Sequence, residues 1–390
     1  MSLEKILKFK GMSARYPIVQ GGMGIGVSLY ELCTSVGLEG GIPTLSSVAL
    51  DQFTRKRLLA LGEEVVDVLP GRMDFVEATR MEISDIKKIS GDVAINVMCA
   101  LPLYYEKSLE GAILGGVNMI VSGAGLPSAL PSQVKNITGT NDHFINLVPI
   151  VSSARALNIL IKKWDAQGYR PDAVVLEGPK AGGHLGWNYK QIENSEDFLK
   201  EYDVIEHLLP EVLDVANRYR NDFGPILVIV AGGVYTHQDI VNALDKGASA
   251  VQMGTRFAVT EERGFTPEAK QLYIDSKKDD IVIASRLWGS PCKYPFRYIE
   301  KSPLVTETQI NPDQPYFCIC PALMGATGID NTAKKGFPKG CPEGYVLLDK
   351  QEACPAVGMS SYSNLVTAGS EAYRVNEVVS VSELMKELIS

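Results

Sequence analysis

A glycine-rich segment that contains one histidine is the strongest candidate for chemistry in this sequence. Residues 176–186 read LEGPKAGGHLG and directly follow the apolar run 173–176. Glycine lets the backbone approach a ligand closely, and a histidine such as His184 can exchange a proton near neutral pH. The pattern predicts a strand that ends in the wall of an active site, although a tight turn with a surface histidine would use the same residues.

Two further glycine loops follow apolar runs later in the chain. They are Ala231-Gly232-Gly233, which follows the run 225–230, and Gly254-Thr255, which follows the run 248–253. Backbone N–H groups exposed at glycine can hold a phosphate, and the hydroxyl of Thr255 can add a hydrogen bond. Ordinary turns would also explain these loops. In an α/β barrel, however, phosphate usually binds after strands seven and eight, so we predict a phosphate site here.

Eight apolar runs, mostly alternating with helical patterns, supply the elements that would position these loops. The runs are 16–20, 41–45, 93–98, 117–121, 146–151, 173–176, 225–230 and 248–253. Near-continuous apolar strands are typical of a parallel sheet buried on both faces, and regular alternation with helices indicates the α/β class. The count favours a (β/α)8 TIM barrel. A dinucleotide-binding doubly wound sheet is the weaker alternative, because residues 21–26 read GGMGIG and not GxGxxG.

The patterns also predict how the chain is divided. Residues 1–260 are expected to form the barrel, with a charged helical insertion at about 49–90. Residues 261–390 are expected to form a C-terminal extension that packs on the barrel. Within it, 291–360 is rich in proline, glycine and cysteine, which indicates a loop-rich appendage.

Composition favours an ordinary soluble protein of the cytoplasm. The 390 residues include 38 basic and 46 acidic side chains, and the resulting net charge of −8 disfavours nucleic acid as a partner. The chain has no apolar run of about 18 residues, so no membrane span is expected. The amino-terminal residues do not resemble a signal peptide, and the seven cysteines do not form a small disulfide framework.

The later cysteines raise the question of a metal site. Cys318, Cys320, Cys341 and Cys354 could bind zinc or an iron–sulfur cluster. A CxC spacing is not the usual CxxC knuckle, so free or buried thiols are favoured and no metal is predicted. A barrel enzyme with a catalytic cysteine, of the IMP dehydrogenase type, is disfavoured because no cysteine lies in a glycine-serine loop at a strand end.

The glycine motifs taken together resemble the nitronate monooxygenase family, formerly called 2-nitropropane dioxygenase, which includes the FMN-dependent enoyl-ACP reductase II. The resemblance covers roughly residues 16–260, and it is specific in the order and spacing of its motifs. The motifs are Gln20-Gly21-Gly22-Met23, Asn96-Val97-Met98, Ser122-Gly123-Ala124-Gly125, Glu177-Gly178, Ala181-Gly182-Gly183-His184, Ala231-Gly232-Gly233 and Gly254-Thr255-Arg256-Phe257.

This resemblance implies an FMN-binding TIM barrel and assigns expected roles to residues. The flavin ring would lie against Gly22, Met23 and Asn96, and Ala231, Gln252 and Met253 would also contact the cofactor. Glu177 could bond either the flavin or a backbone group, so a cofactor contact and a structural role are both open. The FMN phosphate would be held by Gly182, Gly183, Gly232, Gly233, Gly254 and Thr255. His184 would be the catalytic residue. Lys180 departs from the glutamate that is often found at this place in the family, so the local charge is expected to differ.

The role of His184 depends on the substrate. A neutral histidine could remove a proton from a nitroalkane, a protonated one could stabilise a nitronate, and a donor could polarise a thioester carbonyl. We expect an FMN-dependent nitronate monooxygenase that oxidises alkyl nitronates with O2. The alternatives are an NAD(P)H-dependent enoyl-ACP reductase II and a non-catalytic flavin-binding partner protein, and a homodimer stays open.

Other polar residues are weaker candidates for chemistry. His143, His207 and His237 are interpreted as surface or capping residues without partners. Ser152 and Ser153 could cap a helix as readily as face a site. Arg256 is expected to pack or to form an ion pair.

Overall fold

The computed structural model describes most of the chain. The described residues are 3–4, 6–68, 72–219, 224–262, 266–284, 295–302, 316–318, 345–347 and 366–390. The strands in chain order are β1 (Leu7–Phe9), β2 (Met12–Ala14), β3 (Ile18–Gln20), β4 (Thr44–Ser46), β5 (Ala94–Met98), β6 (Met119–Gly123), β7 (Asn146–Val151), β8 (Ala173–Glu177), β9 (Gly183–His184), β10 (Leu227–Ala231), β11 (Ala250–Met253), β12 (Ile281–Ile283), β13 (Phe296–Ile299), β14 (Tyr316–Cys318) and β15 (Tyr345–Leu347).

The helices lie mostly between the parallel strands. They are α1 (Tyr30–Leu38), α2 (Leu50–Ala60), α3 (Phe75–Ser90), α4 (Pro102–Leu114), α5 (Leu130–Thr138), α6 (Ala154–Asp165), α7 (Glu196–Glu201), α8 (Leu209–Arg218), α9 (His237–Asp245), α10 (Thr255–Ala258), α11 (Pro267–Asp275) and α12 (Val381–Ile389). A π-helical turn covers Val204–Leu208, and short 3₁₀ turns cover Lys278–Asp280 and Ala372–Arg374.

Eight strands form one parallel sheet in the order β3-β11-β10-β8-β7-β6-β5-β4. Its two edges meet through Ile42, which accepts a hydrogen bond from the backbone N–H of Gln20 (3.0 Å) and donates one to Ile18 (2.9 Å). The sheet is therefore nearly closed as a barrel, and the predicted (β/α)8 TIM barrel is confirmed. Each of the eight predicted runs contains or overlaps a strand of this sheet.

The barrel interior is filled by small and branched apolar side chains that alternate along the strands. These are Val19, Ala94, Met119, Val121, Val148, Ala173, Val175, Ile229, Ala231 and Ala250. The β1–β2 hairpin closes the amino end, where Leu7 joins this core and Asn146 donates a hydrogen bond of 2.8 Å to the carbonyl of Lys10. The described hairpin thus covers the amino end of the barrel and leaves the carboxyl end, where barrel chemistry is usually located, for a ligand.

Local signals explain why the ring helices begin where they do. Thr236 accepts a hydrogen bond from the N–H of Asp239 (3.2 Å), and the Asp239 carboxylate accepts one from the N–H of Thr236 (2.8 Å). This capping box starts α9. Ser153 likewise accepts from the N–H of Ala156 (3.2 Å) and starts α6. Helix α8 buries a stripe at helical spacing, and each large apolar side chain in it contributes roughly 1.5–3 kcal/mol.

The segment predicted as a helical insertion contains α2 and α3. Helix α3 packs between α1 and α4 and so occupies the ring position that joins β4 to β5. Arg57 of α2 donates to Glu82 (2.8 Å) and to Asp85 (2.9 Å) of α3. Helix α3 is thus the ordinary ring helix between these strands. Only α2 and the loop that follows it are additional to a simple (β/α)8 barrel.

The chain after residue 260 packs closely on the barrel. Strand β13 pairs with β12 and with β9, so part of the extension joins the loop that follows β8. Helix α12 buries Leu384 and Leu388 in the core that also contains Val230. The division at residue 260 stays a prediction about folding units, and most of the predicted loop-rich stretch 291–360 lies outside the described residues.

Candidate functional site

A cavity of about 170 Å³ opens at the carboxyl ends of the barrel strands. It brings together twelve of the fourteen residues that the sequence nominated. These are Gly22, Met23, Asn96, Glu177, Gly182, Ala231, Gly232, Gly233, Gln252, Met253, Gly254 and Thr255. They come from the ends of β3, β5, β8, β10 and β11 or from the loops that follow those strands. Five separate chain segments thus converge on one concave surface.

The other two nominated residues, Gly183 and His184, lie outside the lining of this cavity. They form β9, in which His184 pairs with Phe296 of β13. The two rings meet edge to face, with centroids 4.9 Å apart. His184 is therefore half-buried beside the cavity, on a strand that the C-terminal extension holds in place.

The floor near β3 and β5 requires a glycine. A Cβ atom on Gly22 would lie 2.3 Å from Cβ of Asn96, closer than real Cβ atoms approach. Gln20, which is fully buried, shapes the same floor. Its Nε2 donates to the hydroxyl of Ser28 (2.6 Å), and that hydroxyl in turn accepts a hydrogen bond from the N–H of Met23 (2.9 Å). The loop that carries Gly22 and Met23 is thereby fixed against β5.

Three neighbouring strands present side chains at one level of the floor. Ala231 is paired with Glu177 on one side and with Gln252 on the other. Because Ala231 is small, the two longer polar side chains are separated by open floor. The Oε1 atom of Gln252 is buried and has no hydrogen-bond partner among the described residues. A buried acceptor without a partner is costly unless a ligand or water supplies a donor.

The loop after β10 provides unpaired backbone donors. Gly232 and Gly233 have φ values of +91° and +93°, a conformation that favours glycine. Among the described residues, neither backbone N–H donates to a protein acceptor. A Cβ on Gly232 would lie 2.9 Å from the carbonyl oxygen of Gly178, so this loop packs tightly against the loop after β8. Such exposed N–H groups suit an anionic ligand.

The sequence did not identify a stretch of the C-terminal extension that also lines the cavity. Thr367, Ala368, Gly369 and Glu371 belong to the lining. The N–H of Gly369 donates to Oγ1 of Thr255 (3.0 Å), and a Cβ on Gly182 would lie 2.5 Å from the carbonyl carbon of Ala368. We call residues 367–371 the C-terminal strap. Gly369 was the one local signal for it, but no apolar run of the barrel precedes that glycine.

Two cations stand close to the cavity wall. Lys180 lines the cavity and forms an ion pair of 2.8 Å with Asp203. Arg297 is fully buried behind the wall. Its Nη1 donates to the carbonyl of Ala181 (2.6 Å) and also to that of Pro179, which fixes the loop after β8. No sequence motif indicated this role for Arg297.

Burial shifts the pKa values of the ionisable groups here. Desolvation raises the pKa of Glu177 to about 7, partly opposed by the N–H of Gly186 and the charge of Arg297. Desolvation lowers the pKa of His184 to about 4 and that of Arg297 to about 10. Near pH 7 the imidazole of His184 is therefore neutral, while Glu177 is close to half protonated.

The other three histidines are not among the residues that line the cavity. His237 is not without a partner, because its Nδ1 lies 2.8 Å from the carbonyl oxygen of Leu388. His143 is half-buried and stacks on Tyr169 with centroids 5.6 Å apart, so it is not a plain surface residue. His207 is exposed. The interpretation of His237 as unpartnered was wrong, and so was that of His143 as a surface residue, because tertiary neighbours that the local sequence does not reveal surround them. The ring nitrogens of His143 have no hydrogen-bond partner among the described residues.

The described residues contain no cluster of histidine, cysteine and carboxylate side chains that could hold a metal ion. This finding does not extend to the four later cysteines, because Cys320, Cys341 and Cys354 and the side chain of Cys318 lie outside the described residues. Within the described ranges, no helix has the length and apolar content needed to cross a membrane.

A nearly closed eight-stranded barrel with a glycine-lined cavity at its carboxyl end defines a TIM-barrel enzyme. The family model described as nitronate monooxygenase matches residues 7–390. The chain therefore belongs to the nitronate monooxygenase family, and it is an oxidoreductase. The resemblance found in the sequence motifs is confirmed.

Individual relatives are distant in sequence. A probable nitronate monooxygenase of Staphylococcus saprophyticus is 24% identical over 289 residues, which cover 72% of this chain and 76% of the relative. One from Staphylococcus haemolyticus is 23% identical over 300 residues, covering 73% and 76%.

Solved structures share the fold. FabK from Thermotoga maritima has a TM-score of 0.59 at 19% identity, covering 96% of this chain and 92% of that one. A nitroalkane oxidase from Streptomyces ansochromogenes has a TM-score of 0.59 at 18% identity, covering 96% and 95%.

Proposed function

We propose that this protein is an FMN-dependent nitronate monooxygenase that oxidises alkyl nitronates with O2. The observation that carries the proposal is the cavity itself, whose lining combines unpaired backbone donors with an unpaired side-chain acceptor in a chain of this family. A phosphorylated ligand with a planar polar ring would supply partners for both kinds of group. The family relationship then favours nitronates as the substrate class.

The lining residues offer partners for both the phosphate and the ring of FMN. The N–H groups of Gly232 and Gly233, together with Gly182, Gly254 and the hydroxyl of Thr255, would hold the phosphate. Gln252 would accept a hydrogen bond from an N–H group of the ring. Gly22, Met23, Asn96, Glu177, Ala231 and Met253 would contact the ring from the floor.

The protein's own contribution is to position the substrate and to control a proton. FMN would supply the redox chemistry, by accepting electrons from the substrate and passing them to O2. His184 is neutral near pH 7 because burial lowers its pKa. A neutral imidazole can donate a hydrogen bond to a nitro oxygen or accept the proton of a nitroalkane. The reading in which a positively charged His184 stabilises the nitronate is therefore not favoured.

The purified protein provides the test. We expect a flavin absorption spectrum, release of FMN on denaturation, and flavin bleaching on anaerobic mixing with an alkyl nitronate, followed by recovery on admission of O2. Rapid bleaching by NADH and reoxidation by an enoyl thioester would instead identify the enoyl-ACP reductase II alternative. A yellow protein that reacted with neither would support the non-catalytic flavin-binding alternative. A cytoplasmic location and a homodimer stay predictions.

A further inference from the structure

Glu177 occupies an unusual position for a carboxyl group. It ends β8, and its exposed surface faces the cavity while protein surrounds the rest of its side chain. The N–H of Gly186 supplies one hydrogen bond to its carboxyl group. No ion pair with a cation is formed by Glu177 within the described part of the chain. One face of this carboxyl group is therefore left for a ligand.

The charged side chains near Glu177 form most of their hydrogen bonds and ion pairs with other groups. Arg297 of β13 is the charged side chain that acts on Glu177, but its Nη atoms donate to loop carbonyls and to Asn194 (3.2 Å). Lys180, on the loop after β8, is paired with Asp203. On the opposite wall, Glu371 lies 3.6 Å from Arg374. His184 of β9 is neutral near pH 7. The charge of Arg297 lowers the pKa of Glu177, and the Nε of Arg297 has no hydrogen-bond partner among the described residues. Among the described residues, however, no cation forms the ion pair with Glu177 that usually stabilises a desolvated carboxylate.

The register of β8, β10 and β11 determines how far apart Glu177 and Gln252 lie. Glu177 and Gln252 flank Ala231 at one level of three adjacent strands, which places their Cα atoms about 10 Å apart. Gln252 offers an unpaired acceptor. A protonated carboxyl offers a donor, whereas an ionised one only accepts. A ring that spans the floor would meet an acceptor at one side and, with a proton on Glu177, a donor at the other.

We propose that Glu177 is protonated in the ligand-bound enzyme at neutral pH and donates a hydrogen bond to an acceptor atom of the planar heteroaromatic ring bound on the barrel floor. This inference rests on the proposed function and deepens it. Desolvation supports it independently, because it raises the pKa of Glu177 to about 7 before any ligand is bound. A ligand acceptor would favour the protonated form further.

Binding of FMN to the apo-protein tests the proposal. Flavin fluorescence would be titrated with apo-protein at several values from about pH 5.5 to about pH 8.5, around the pKa of Glu177. We expect the Kd of the native protein to rise about tenfold over this range as the donor is lost. Glu177→Gln keeps a donor at every pH, so the rise in Kd with pH should be absent from this variant. A pH dependence of the opposite sign can remain in both proteins, because the FMN phosphate loses its second proton at about pH 6 and then binds backbone donors more tightly. Glu177→Met has no donor and should bind weakly throughout.

A matched control separates the effect of this position from that of any buried carboxyl. Glu82 is buried, and desolvation raises its pKa as it does that of Glu177, but Glu82 pairs with Arg57 away from the cavity. Glu82→Gln should keep the pH dependence of the native protein. Loss of that dependence in Glu82→Gln, or its persistence in Glu177→Gln, would overturn the proposal.

A second measurement distinguishes failure of this inference from failure of the proposed function. The side-chain carboxyl of Glu177 can be followed by ¹³C NMR in the native apo-protein, with the signal assigned from its absence in Glu177→Gln. We expect it to titrate near pH 7. Titration at the ordinary glutamate value of about 4.3 would overturn the inference whether or not FMN binds. If native protein failed to bind FMN at any pH, the proposed function would fall instead.

Discussion

The backbone N–H of Gly369 donates a hydrogen bond of 3.0 Å to Oγ1 of Thr255, 114 positions earlier in the chain. Thr255 lies directly after β11, and Gly369 belongs to the C-terminal strap. Because the hydroxyl oxygen accepts from the main chain, its own hydrogen is left for another acceptor. The extension and the last barrel strand therefore build one wall of the cavity together.

Replacing Thr255 by valine removes both the hydroxyl oxygen that accepts from Gly369 and the hydroxyl hydrogen that is left for a ligand. We expect Thr255→Val to bind FMN about tenfold more weakly, since a hydrogen bond to a charged group contributes about 1.5 kcal/mol or more. Titration of flavin fluorescence with apo-protein measures the Kd. Thr255→Ser retains the hydroxyl and should stay within about threefold of the native Kd. Equal affinity of Thr255→Val and native protein would remove Thr255 from the site.

The floor beneath the proposed ring should not tolerate a side chain at Gly22. In Gly22→Ala the new Cβ would meet Cβ of Asn96 at 2.3 Å, so one of the two strand ends must shift. We expect a loss of about 1–3 kcal/mol in the free energy of unfolding and FMN binding at least about tenfold weaker. Urea unfolding and fluorescence titration measure the two effects.

Gly139→Ala is the control for the glycine change. A Cβ on Gly139 would meet no atom within 4 Å, although its φ of +78° strains any other residue. Gly139→Ala should lower the free energy of unfolding by about 1–2 kcal/mol, and this variant should bind FMN with native affinity. If both variants bound FMN equally well, contact between Gly22 and Asn96 would have no role in the site.

His184 is expected to act on the substrate and not on cofactor retention. His184→Ala should keep FMN while steady-state turnover of an alkyl nitronate falls about 100-fold or more. His207→Ala is the control, because His207 is exposed in the turn before α8, and it should change neither quantity. Undiminished turnover in His184→Ala would refute the catalytic assignment.

The pH profile of turnover gives an independent check on His184. The folded protein keeps this imidazole neutral down to about pH 4, because burial lowers its pKa. We therefore expect no loss of turnover attributable to His184 between about pH 7 and pH 5, where an ordinary histidine would become charged. A decline centred near pH 6.5 that disappeared in His184→Ala would contradict a desolvated imidazole.

Glu177 should make the stability of the apo-protein depend on pH. The folded state keeps its proton up to about pH 7, whereas the unfolded state loses it near 4.5. Folded protein therefore binds more protons in this window, and the free energy of unfolding should fall as pH rises, by roughly 2–3 kcal/mol. Urea unfolding of native protein and Glu177→Gln at matched pH isolates this contribution. Parallel pH dependences of the two proteins would exclude it.

Helix α12 should depend on Arg256. Its guanidinium lies 4.6 Å from the ring centroid of Tyr235, and its Nη1 donates to the Glu387 carboxylate at 2.9 Å. We expect Arg256→Ala to lower the free energy of unfolding by about 1–2 kcal/mol, because a packed cation–π contact is lost with the ion pair. Lys200→Ala breaks only an exposed pair with Glu196 and should change it by less than about 0.5 kcal/mol.

Much of the barrel was predictable because its signals are local. The run 146–151 matches β7 in both bounds, and the run 173–176 matches β8 to within one residue. A strand buried on both faces needs a continuous apolar run, and a loop that approaches a ligand needs glycine. Both requirements concern only a few consecutive residues. The sequence alone was therefore enough to predict Gly232, Gly233 and Gly254 as residues of a binding site.

The sequence by itself therefore determined the class of fold, the order of the strands and the glycine loops at their ends. Only the tertiary structure decided what surrounds them. The contact of Gly369 with Thr255, the buried Arg297 behind the cavity wall and the pairing of His184 with Phe296 join residues more than 100 positions apart. No local pattern encodes such a pair, because its geometry and its effect on a pKa arise only when distant segments exclude water from the same place.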